Sequence, residues 1–337
     1  GDGGAIAMFT TARATYASTN LRLNRAIFKD NIFARENGAF PRFGDVIRKS
    51  KLTGDFNDRK FVLLGDPALK IAFPRNKVIT THINNNVVGT ADTLKALDQV
   101  SIRGFVADEN GNILPDFNGK LYATIYDKAS TITTKGDQNP VTNFSTRNSI
   151  IYKGLVGVTN GAFELVFMMP KDISYRFGTG RISYYATNLE MDAQGSFEDF
   201  QIGGFSNNIV EDNNGPVIRL FMGDTTFKDG DFTNENPVLI AMIADESGIN
   251  TTGAGIGHDI TASISGATEN FAILNDYYAA SLNKSAEGMI RYPLFNLNPG
   301  KHTLVLKAWD ILNNSSTAEI SFEVIPKNQV TIDALYN

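Results

Sequence analysis

Any chemistry in this chain depends on a small set of reactive side chains. Its 337 residues include no cysteine and three histidines, His82, His258 and His302. The lack of cysteine excludes disulfides, thiolate metal sites and a thiol nucleophile within these residues. The histidines are widely separated and flanked by strand-like sequence, so we do not expect them to converge in a catalytic relay or a multi-histidine metal site.

Two polar loops could bind a cation or a phosphate. Residues 245–250 begin with Asp-Glu and precede three glycines between positions 253 and 257, but the EF-hand spacing is absent and no Walker Lys-Ser/Thr follows. Residues 310–314 could supply oxygen ligands, yet they also suit a hairpin turn. We favour loops at both places, and expect no cofactor and no metal that the fold requires.

Pairs of aromatic side chains could stack against sugar rings. Tyr184 and Tyr185 are adjacent, as are Tyr277 and Tyr278. Adjacent residues of a strand face opposite sides of the sheet, so neither pair can form one platform. Trp309 lies in an alternating strand, where an aromatic residue usually belongs to the core. We therefore expect structural roles for all five residues.

Composition and charge exclude several classes of partner. The formal net charge is −5, with acidic and basic residues interspersed. This pattern provides no basic face for a phosphate backbone, so nucleic acid is not an expected partner. No run of 18 apolar residues is present, which predicts no membrane span. The first residues lack the features of a signal peptide, and we expect the targeting sequence to lie upstream.

The segment before Pro74 has the pattern of part of an α/β domain. Residues 5–10 and 61–64 are short apolar runs, which predict strands buried on both faces, the first as part of a parallel sheet. One strand, two helices and one strand cannot close an α/β core. We therefore expect most of that domain to lie outside this sequence.

Two helices are predicted between these strands. In the first, apolar residues between positions 21 and 33 recur at a spacing near that of a helical turn, with one of the polar residues 18–20 as N-cap and Gly38 at the end. The second begins at Pro41 and runs to about Leu52. Its apolar side consists of Phe43, Val46 and Ile47.

From about Lys77 the sequence changes to short alternating runs separated by turn residues, which predicts antiparallel β modules. Turns are expected at residues 108–111 and 159–161. The first module has predicted strands at residues 78–83, 100–106, 121–126, 150–153, 162–167, 180–186 and 197–203. The second has predicted strands at residues 217–222, 238–244, 259–265, 289–292, 302–309 and 318–325.

Two stretches of this sequence resemble the end of gingipain-family cysteine peptidase domains. They are residues 4–18 and residues 61–69, of which the closing Leu-Gly-Asp-Pro-Ala-Leu turn is the most specific part. Further stretches look like PorU-type sortases of the type IX secretion system, so that the resemblance spans nearly the whole chain. These stretches are residues 116–119, 248–250, 255–259, 273–278 and 307–310.

The resemblance implies an enzyme on the outer surface of a Gram-negative cell. Such an enzyme removes the C-terminal sorting domain of secreted cargo and joins the new end to anionic lipopolysaccharide. Its caspase-like domain carries a cysteine nucleophile and a histidine base, both upstream of the strand at residues 5–10. No residue of this chain is therefore expected to be catalytic.

The resemblance also implies a substrate pocket and partners. By motif alignment, Tyr16 falls where gingipains place an aromatic wall of the pocket, and Thr11, Ala12 and Arg13 lie on the same loop. The implied partners are the upstream catalytic domain of the same protein, other attachment-complex proteins at the outer membrane, and cargo with a C-terminal sorting domain. The implied location is the cell surface.

The predicted fold is mainly β: two immunoglobulin-like antiparallel β-sandwich modules that follow the C-terminal remnant of an α/β caspase-like domain. The expected boundaries are 1–74 for the peptidase remnant, 75–207 and 208–326 for the modules, and 327–337 for a linker to a further domain. Residues 207–216, rich in Asn, Asp and Gly, are expected to join the modules.

Two functions from different classes agree with these features. The chain is an accessory region of a surface sortase, or it is a carbohydrate-binding or adhesive surface protein whose sandwiches bind a ligand directly. A cysteine and a histidine encoded upstream of Gly1 would favour the sortase. A glycan-array signal from the isolated chain would favour the carbohydrate-binding protein.

Overall fold

The computed structural model describes residues 5–51, 55–89, 93–137, 140–207, 211–252, 257–265 and 272–326. By its internal contacts the chain divides into two compact units, Gly1–Phe73 and Pro74–Asn337. The described residues are mainly β, and the second unit consists of β-sandwich modules. The predicted fold class is therefore confirmed.

The N-terminal unit contains a sheet of two strands, β1 (Ala7–Thr11) and β2 (Phe61–Gly65). They pair antiparallel, with Met8 opposite Leu64 and Phe9 opposite Leu63. Phe9 and Leu63 pack against the helices, whereas Met8 is 52% exposed and Leu64 is 56% exposed. The sheet therefore has apolar side chains on both faces and a cover on one.

Our expectation of a parallel sheet buried on both faces was wrong for these strands. The apolar runs do place apolar residues on both faces, as the sequence predicts. The two strands are direct antiparallel neighbours, however, and the described helices cover the face that carries Phe9 and Leu63. A run of apolar residues shows that both faces are apolar, and it contains no information on strand direction.

Two helices and two shorter turns complete this unit. Helix α1 (Ala17–Arg25) continues into a π-helix (Ala26–Asn31), and α2 (Phe43–Ser50) is followed by a 3₁₀ turn (Asp58–Lys60). Their apolar residues form one small core. Its buried members are Leu23, Ile27, Ile32, Phe43, Val46 and Phe61.

The helix boundaries differ from the predicted ones. Tyr16 occupies the N-cap of α1 without a side-chain cap, and the polar residues 18–20 lie within the first turn. The helical segment ends at Asn31, whose Nδ2 donates to the Ala26 carbonyl at 2.7 Å, and not at Gly38. Helix α2 starts after Arg42, whose backbone is extended, and Leu52 lies outside the described residues.

The first sandwich contains strands β3 to β15. They are β3 (Asn76–Ile83), β4 (Asn86–Val87), β5 (Thr93–Ala96), β6 (Gln99–Ala107), β7 (Gly119–Tyr126), β8 (Ser130–Thr133), β9 (Asn143–Thr146), β10 (Ile150–Val158), β11 (Ala162–Met168), β12 (Gly178–Thr179), β13 (Arg181–Thr187), β14 (Asp192–Phe197) and β15 (Gln201–Phe205).

The main sheet of this sandwich has the order β10-β7-β13-β14-β3-β6-β11, with β4 paired to β3. Its antiparallel halves are joined by a short parallel pairing of β14 with β3. A three-stranded sheet, β12-β15-β5, and a hairpin, β8-β9, complete the module. The alternating side chains of β6 illustrate the packing, since Val100, Ile102 and Val106 are fully buried in the core between the strands.

Most predicted strands of this module are present, but the strand predicted at residues 197–203 was wrong. It spans the end of β14 and the start of β15, with a turn between them. Glu198 turns outward to pair with Arg147 at 3.0 Å, and Phe200 is buried against Phe197. A charged residue that leaves the sheet here breaks the alternation.

The second sandwich contains strands β16 to β24 and a 3₁₀ turn (Asn275–Tyr277). The strands are β16 (Val217–Met222), β17 (Phe232–Thr233), β18 (Val238–Ala244), β19 (Thr261–Ile264), β20 (Ala272–Ile273), β21 (Tyr278–Ala280), β22 (Glu287–Pro293), β23 (Gly300–Trp309) and β24 (Ser315–Val324).

Two sheets, β16-β18-β22-β21 and β17-β24-β23-β19-β20, enclose the second core. Leu239 of β18 and Leu306 of β23 are fully buried in it. All six predicted strands are present, and the sequence missed β17, β20 and β21, which have two or three residues each. Such short strands show too little alternation to be detected.

We expect the substitutions Met8→Thr and Leu64→Thr together to reduce self-association of the chain without unfolding it. Threonine keeps the preference for strands and removes apolar surface from the open face. Sedimentation velocity measures the association, and circular dichroism checks the fold.

Leu63→Thr is the matched control, because Leu63 packs against the helices on the covered face. It should lower the stability of the N-terminal unit by about 1–3 kcal/mol, because a partly buried apolar side chain is lost. If the double variant and Leu63→Thr changed self-association and stability equally, this would contradict a sheet that is covered on one face.

Candidate functional site

The four residues assigned to a substrate pocket lie in one exposed loop at the end of β1. Thr11 is the last residue of the strand, and Ala12, Arg13 and Tyr16 follow it, all exposed. The Ala12 amide donates to the Lys60 carbonyl at 2.9 Å. The loop is therefore joined to the turn that precedes β2.

Asn57 fixes the backbone of this loop at Tyr16. Asn57 is 2% exposed, and its Oδ1 accepts a hydrogen bond from the Tyr16 amide at 3.0 Å. The backbone amide of Asn57 in turn donates to Asp55 Oδ1 at 2.7 Å. Asn57 Nδ2 is also buried, and it has no hydrogen-bond partner among the described residues.

The ring of Tyr16 is 71% exposed and lies beside a lysine and a second exposed ring, Phe56. The Lys60 ammonium is 5.1 Å from the centroid of Tyr16 and 5.7 Å from that of Phe56, and it donates to the Ala14 carbonyl at 2.7 Å. These are cation–π distances. The surface offers aromatic area and the positive charge of Lys60.

A cluster of carboxylates lies in the second sandwich. One oxygen each of Asp212, Asp245 and Asp310 lies within 4.8 Å of the others. Asp245 and Asp310 belong to the two loops that the sequence singles out, whereas Asp212 lies in the stretch expected to be a linker. Gly253 and Gly255 of the first loop lie outside the described residues.

The three carboxyls have different electrostatic environments. Burial raises the pKa of Asp245 to about 6, and the neighbouring Asp310 and Asp212 add to the rise. Burial also raises the pKa of Asp310. A hydrogen bond from the Ser247 hydroxyl lowers the pKa of Asp212, so Asp212 carries the negative charge most readily.

Carboxylate oxygens are ligands that Ca²⁺ prefers, and a cation would suit the charge of this cluster. Hydrogen bonds within the loops already use several of these oxygens. Asp310 Oδ1 accepts from the amides of Leu312 and Asn314, and its Oδ2 accepts from Asn314 Nδ2. The bonds form the hairpin turn between β23 and β24 that the sequence predicts.

The histidines have separate surroundings. His82 Nδ1 is 3.0 Å from Thr81 Oγ1, and His302 Nε2 is 2.6 Å from the Asn298 carbonyl oxygen. His258 Nδ1 pairs with Asp172. No two histidines share a hydrogen-bond partner among the described residues. Sequence reasoning missed Asp172 and Asp212, which are ordinary loop residues by their local sequence.

The N-terminal unit contains the segment that identifies a family. Residues 1–72 match peptidase family C25. The resemblance to gingipain-family peptidases is thereby confirmed for this segment, and the exposed loop of Tyr16 belongs to it. The pocket role of Thr11, Ala12, Arg13 and Tyr16 is a separate matter and remains a proposal.

A solved structure of dimeric latent PorU from Porphyromonas gingivalis is 30% identical in sequence over 96% of this chain, with a TM-score of 0.47. The chain covers 31% of that protein's length. The chain therefore spans about a third of the length of that protein. No curated protein matches the chain.

Other solved structures have low similarity to the chain. Fibronectin(III)-like modules of Clostridium thermocellum CbhA are 11% identical, with 77% of this chain and 100% of that chain covered and a TM-score of 0.22. Red sea bream transglutaminase is 8% identical, with coverages of 74% and 32% and a TM-score of 0.20. Neither similarity bears on function. Within the described residues, no helix is long and apolar enough to cross a membrane.

We expect Asn57→Ala to speed hydrogen exchange of the Tyr16 amide by about fivefold or more, because the variant removes its buried acceptor, and such a bond is worth about 1 kcal/mol or more. Exchange measured by mass spectrometry or NMR tests this. Thr19→Ala is the control, since it removes an exposed bond to the Tyr16 carbonyl and leaves the amide acceptor in place. Similar rates in both variants would contradict the role of Asn57.

We expect Asp245→Asn to raise the melting temperature above about pH 6 and to change it little near pH 4. The folded pKa of Asp245 lies above its ordinary value, so the fold favours the protonated carboxyl, and this stabilisation is lost as the pH rises through about 6. Asparagine keeps an oxygen for the amides of Ser247 and Gly248 and never ionises.

Glu246→Gln is the control for this prediction, because it removes the same charge from an exposed neighbour. It should have little effect across the same pH range. A melting temperature of the unmodified chain that drops by many degrees in a strong chelator would contradict our expectation that the fold requires no metal.

Proposed function

We propose that this chain is an accessory C-terminal region of a cell-surface cysteine peptidase of family C25. The parent enzyme would remove C-terminal sorting domains from cargo of the type IX secretion system and attach the cargo to anionic lipopolysaccharide. The observation that carries this proposal is the match of residues 1–72 to peptidase family C25 in a chain that has no cysteine.

The chemistry of acyl transfer favours this division of labour. It requires an activated nucleophile, a base and an oxyanion site in one cleft. The chain has no thiol, and the histidines have separate structural partners among the described residues. The catalytic cysteine and histidine would be supplied by the upstream part of the same protein.

The loop after β1 is the proposed contribution of this chain to substrate binding. Tyr16 would form one wall of the pocket, with Thr11, Ala12 and Arg13 beside it. Its exposed ring and the adjacent Lys60 support this role, because they suit an apolar or anionic group of an extended peptide. Asn57 would hold the loop in position through the Tyr16 amide.

The proposed domain boundaries are those that the sequence predicts. Residues 1–74 would complete the peptidase domain, residues 75–207 and 208–326 would be two accessory modules, and residues 327–337 would lead to a further domain. The proposed partners are the upstream catalytic domain, attachment-complex proteins at the outer membrane and cargo with a sorting domain. The proposed location is the cell surface.

A second candidate function is carbohydrate binding by the first sandwich. Tyr122 of β7 and Tyr185 of β13 are cross-strand partners, 48% and 43% exposed, with ring centroids 6.2 Å apart. Unlike the adjacent pairs in the sequence, these two rings lie on one face of the sheet. A glycan-array signal that is lost in Tyr122→Ala/Tyr185→Ala would favour this alternative.

Deleting residues 75–326 from the parent protein tests the sortase proposal in the cell. We would compare it with a parent in which the catalytic cysteine is replaced by alanine. Both strains should accumulate cargo that retains its sorting domain, while export across the outer membrane continues. Normal processing of cargo in the deletion strain would contradict the accessory role. A parent gene that encodes no cysteine and histidine upstream would contradict the proposal that the parent is a cysteine peptidase.

We expect the isolated chain to have no peptidase or transpeptidase activity on a sorting-domain peptide, because it has no thiol nucleophile. A fluorogenic peptide assay, with the parent enzyme as positive control, measures this. Turnover that persists after repurification and disappears when a residue of this chain is substituted would contradict the prediction.

A further inference from the structure

The two sandwiches meet at two separate places, in addition to the segment that joins them in sequence. At the first, the Lys171 amide of the first sandwich donates to the Ile311 carbonyl of the second at 2.9 Å. Ile311 is 2% exposed and Ile173, beside Lys171, is 6% exposed. The backbones of the two modules are therefore in direct contact there.

Asp172 is the centre of this first contact. Its Oδ1 accepts from Asn313 Nδ2 at 2.8 Å, and its Oδ2 accepts from Asn250 Nδ2 at 3.2 Å. His258 Nδ1 also pairs with Oδ2. Only 13% of the Asp172 side chain is exposed, so a carboxylate of the first sandwich is largely withdrawn from water by groups of the second.

Asn250 shows that the receiving surface is built for this carboxylate. It is fully buried, and its Oδ1 accepts from the amide and the hydroxyl of Thr252, which orients the amide group. Its Nδ2 is then directed to Asp172 and to Asn313 Oδ1. His258 is held against Trp309, with ring centroids 4.4 Å apart. The donors are fixed within the second sandwich.

The second contact covers an edge of the first sandwich. Strand β10 is the last strand of its sheet, and its free side meets residues 282 and 283. The Asn283 amide donates to the Leu155 carbonyl at 2.9 Å, and the Gly157 amide donates to Asn283 Oδ1 at 2.7 Å. Asn283 thus covers two polar backbone groups of the strand edge, one with its backbone amide and one with its side chain.

We propose that these two contacts lock the sandwiches into one rigid arm with a fixed angle between the modules. One contact alone would leave a hinge, whereas two contacts on different elements restrain the remaining rotation. The proposal goes beyond the accessory function and does not depend on it. It predicts a single orientation of the second sandwich relative to the first in solution.

The test is a distance measurement between spin labels in the 337-residue chain. Because the chain has no cysteine, labels attach only where one is introduced. Glu190→Cys and Lys301→Cys place one label on an exposed position of each sandwich. We expect one narrow distance distribution, and a broad or bimodal distribution in this labelled chain would overturn the proposal.

Two substitutions open the lock without deleting an apolar side chain. Asp172→Asn removes the charge and presents an amide group to the donors of the second sandwich. Asn283→Gly removes the acceptor of the Gly157 amide, and glycine suits the positive φ of 59° at this position. Each substitution should widen the distribution, and the two together should widen it at least twofold, because both contacts are then weakened.

Glu164→Gln is the control, since it breaks the pair with Arg103 inside the first sandwich. It should leave the distribution unchanged. An unchanged distribution in folded Asp172→Asn/Asn283→Gly would overturn the proposal. Circular dichroism shows whether that variant folds. If it does not, the two single variants decide instead: distance distributions that are no wider than that of the labelled chain would overturn the proposal.

Discussion

Apolar packing between sheets is the interaction on which this molecule depends. Many sandwich domains gain stability from a disulfide between their sheets, but this chain has no cysteine. Large side chains take that role, with Phe117 and Phe167 buried in the first core and Leu239 and Phe322 in the second. The requirement to bury one face fixes the register of each long strand.

This constraint explains where polar groups occur in the structure. The cores are mainly apolar, so ordered polar contacts concentrate in the loops at the sandwich ends, where side-chain carboxylates accept from backbone amides. Asp108 does this for Asn110 and Asn112, and Asp310 does it for Leu312 and Asn314. Loops held in this way keep a fixed shape and can present Asp245, Asn250 and Asn313 to other groups.

The sequence predicts the parts of this fold that depend on local patterns. The alternation of Val100, Ile102 and Val106 predicts β6, and the Leu-Gly-Asp-Pro-Ala-Leu turn after β2 lies in the segment that matches peptidase family C25. The sequence does not predict the features that depend on contacts between distant positions. Asp172 meets His258 across 86 positions and Asp212 meets Ser247 across 35, and nothing in the neighbouring sequence indicates either partner.

The pairing of Asn283 with the edge of β10 has a consequence for how such proteins evolve. Modules joined by flexible linkers can be exchanged singly by recombination, because each keeps a complete surface. Here, replacing the second sandwich would expose the Leu155 carbonyl and the Gly157 amide on a free strand edge. Exchange of the second sandwich alone therefore carries a cost that exchange of a module with a complete surface does not.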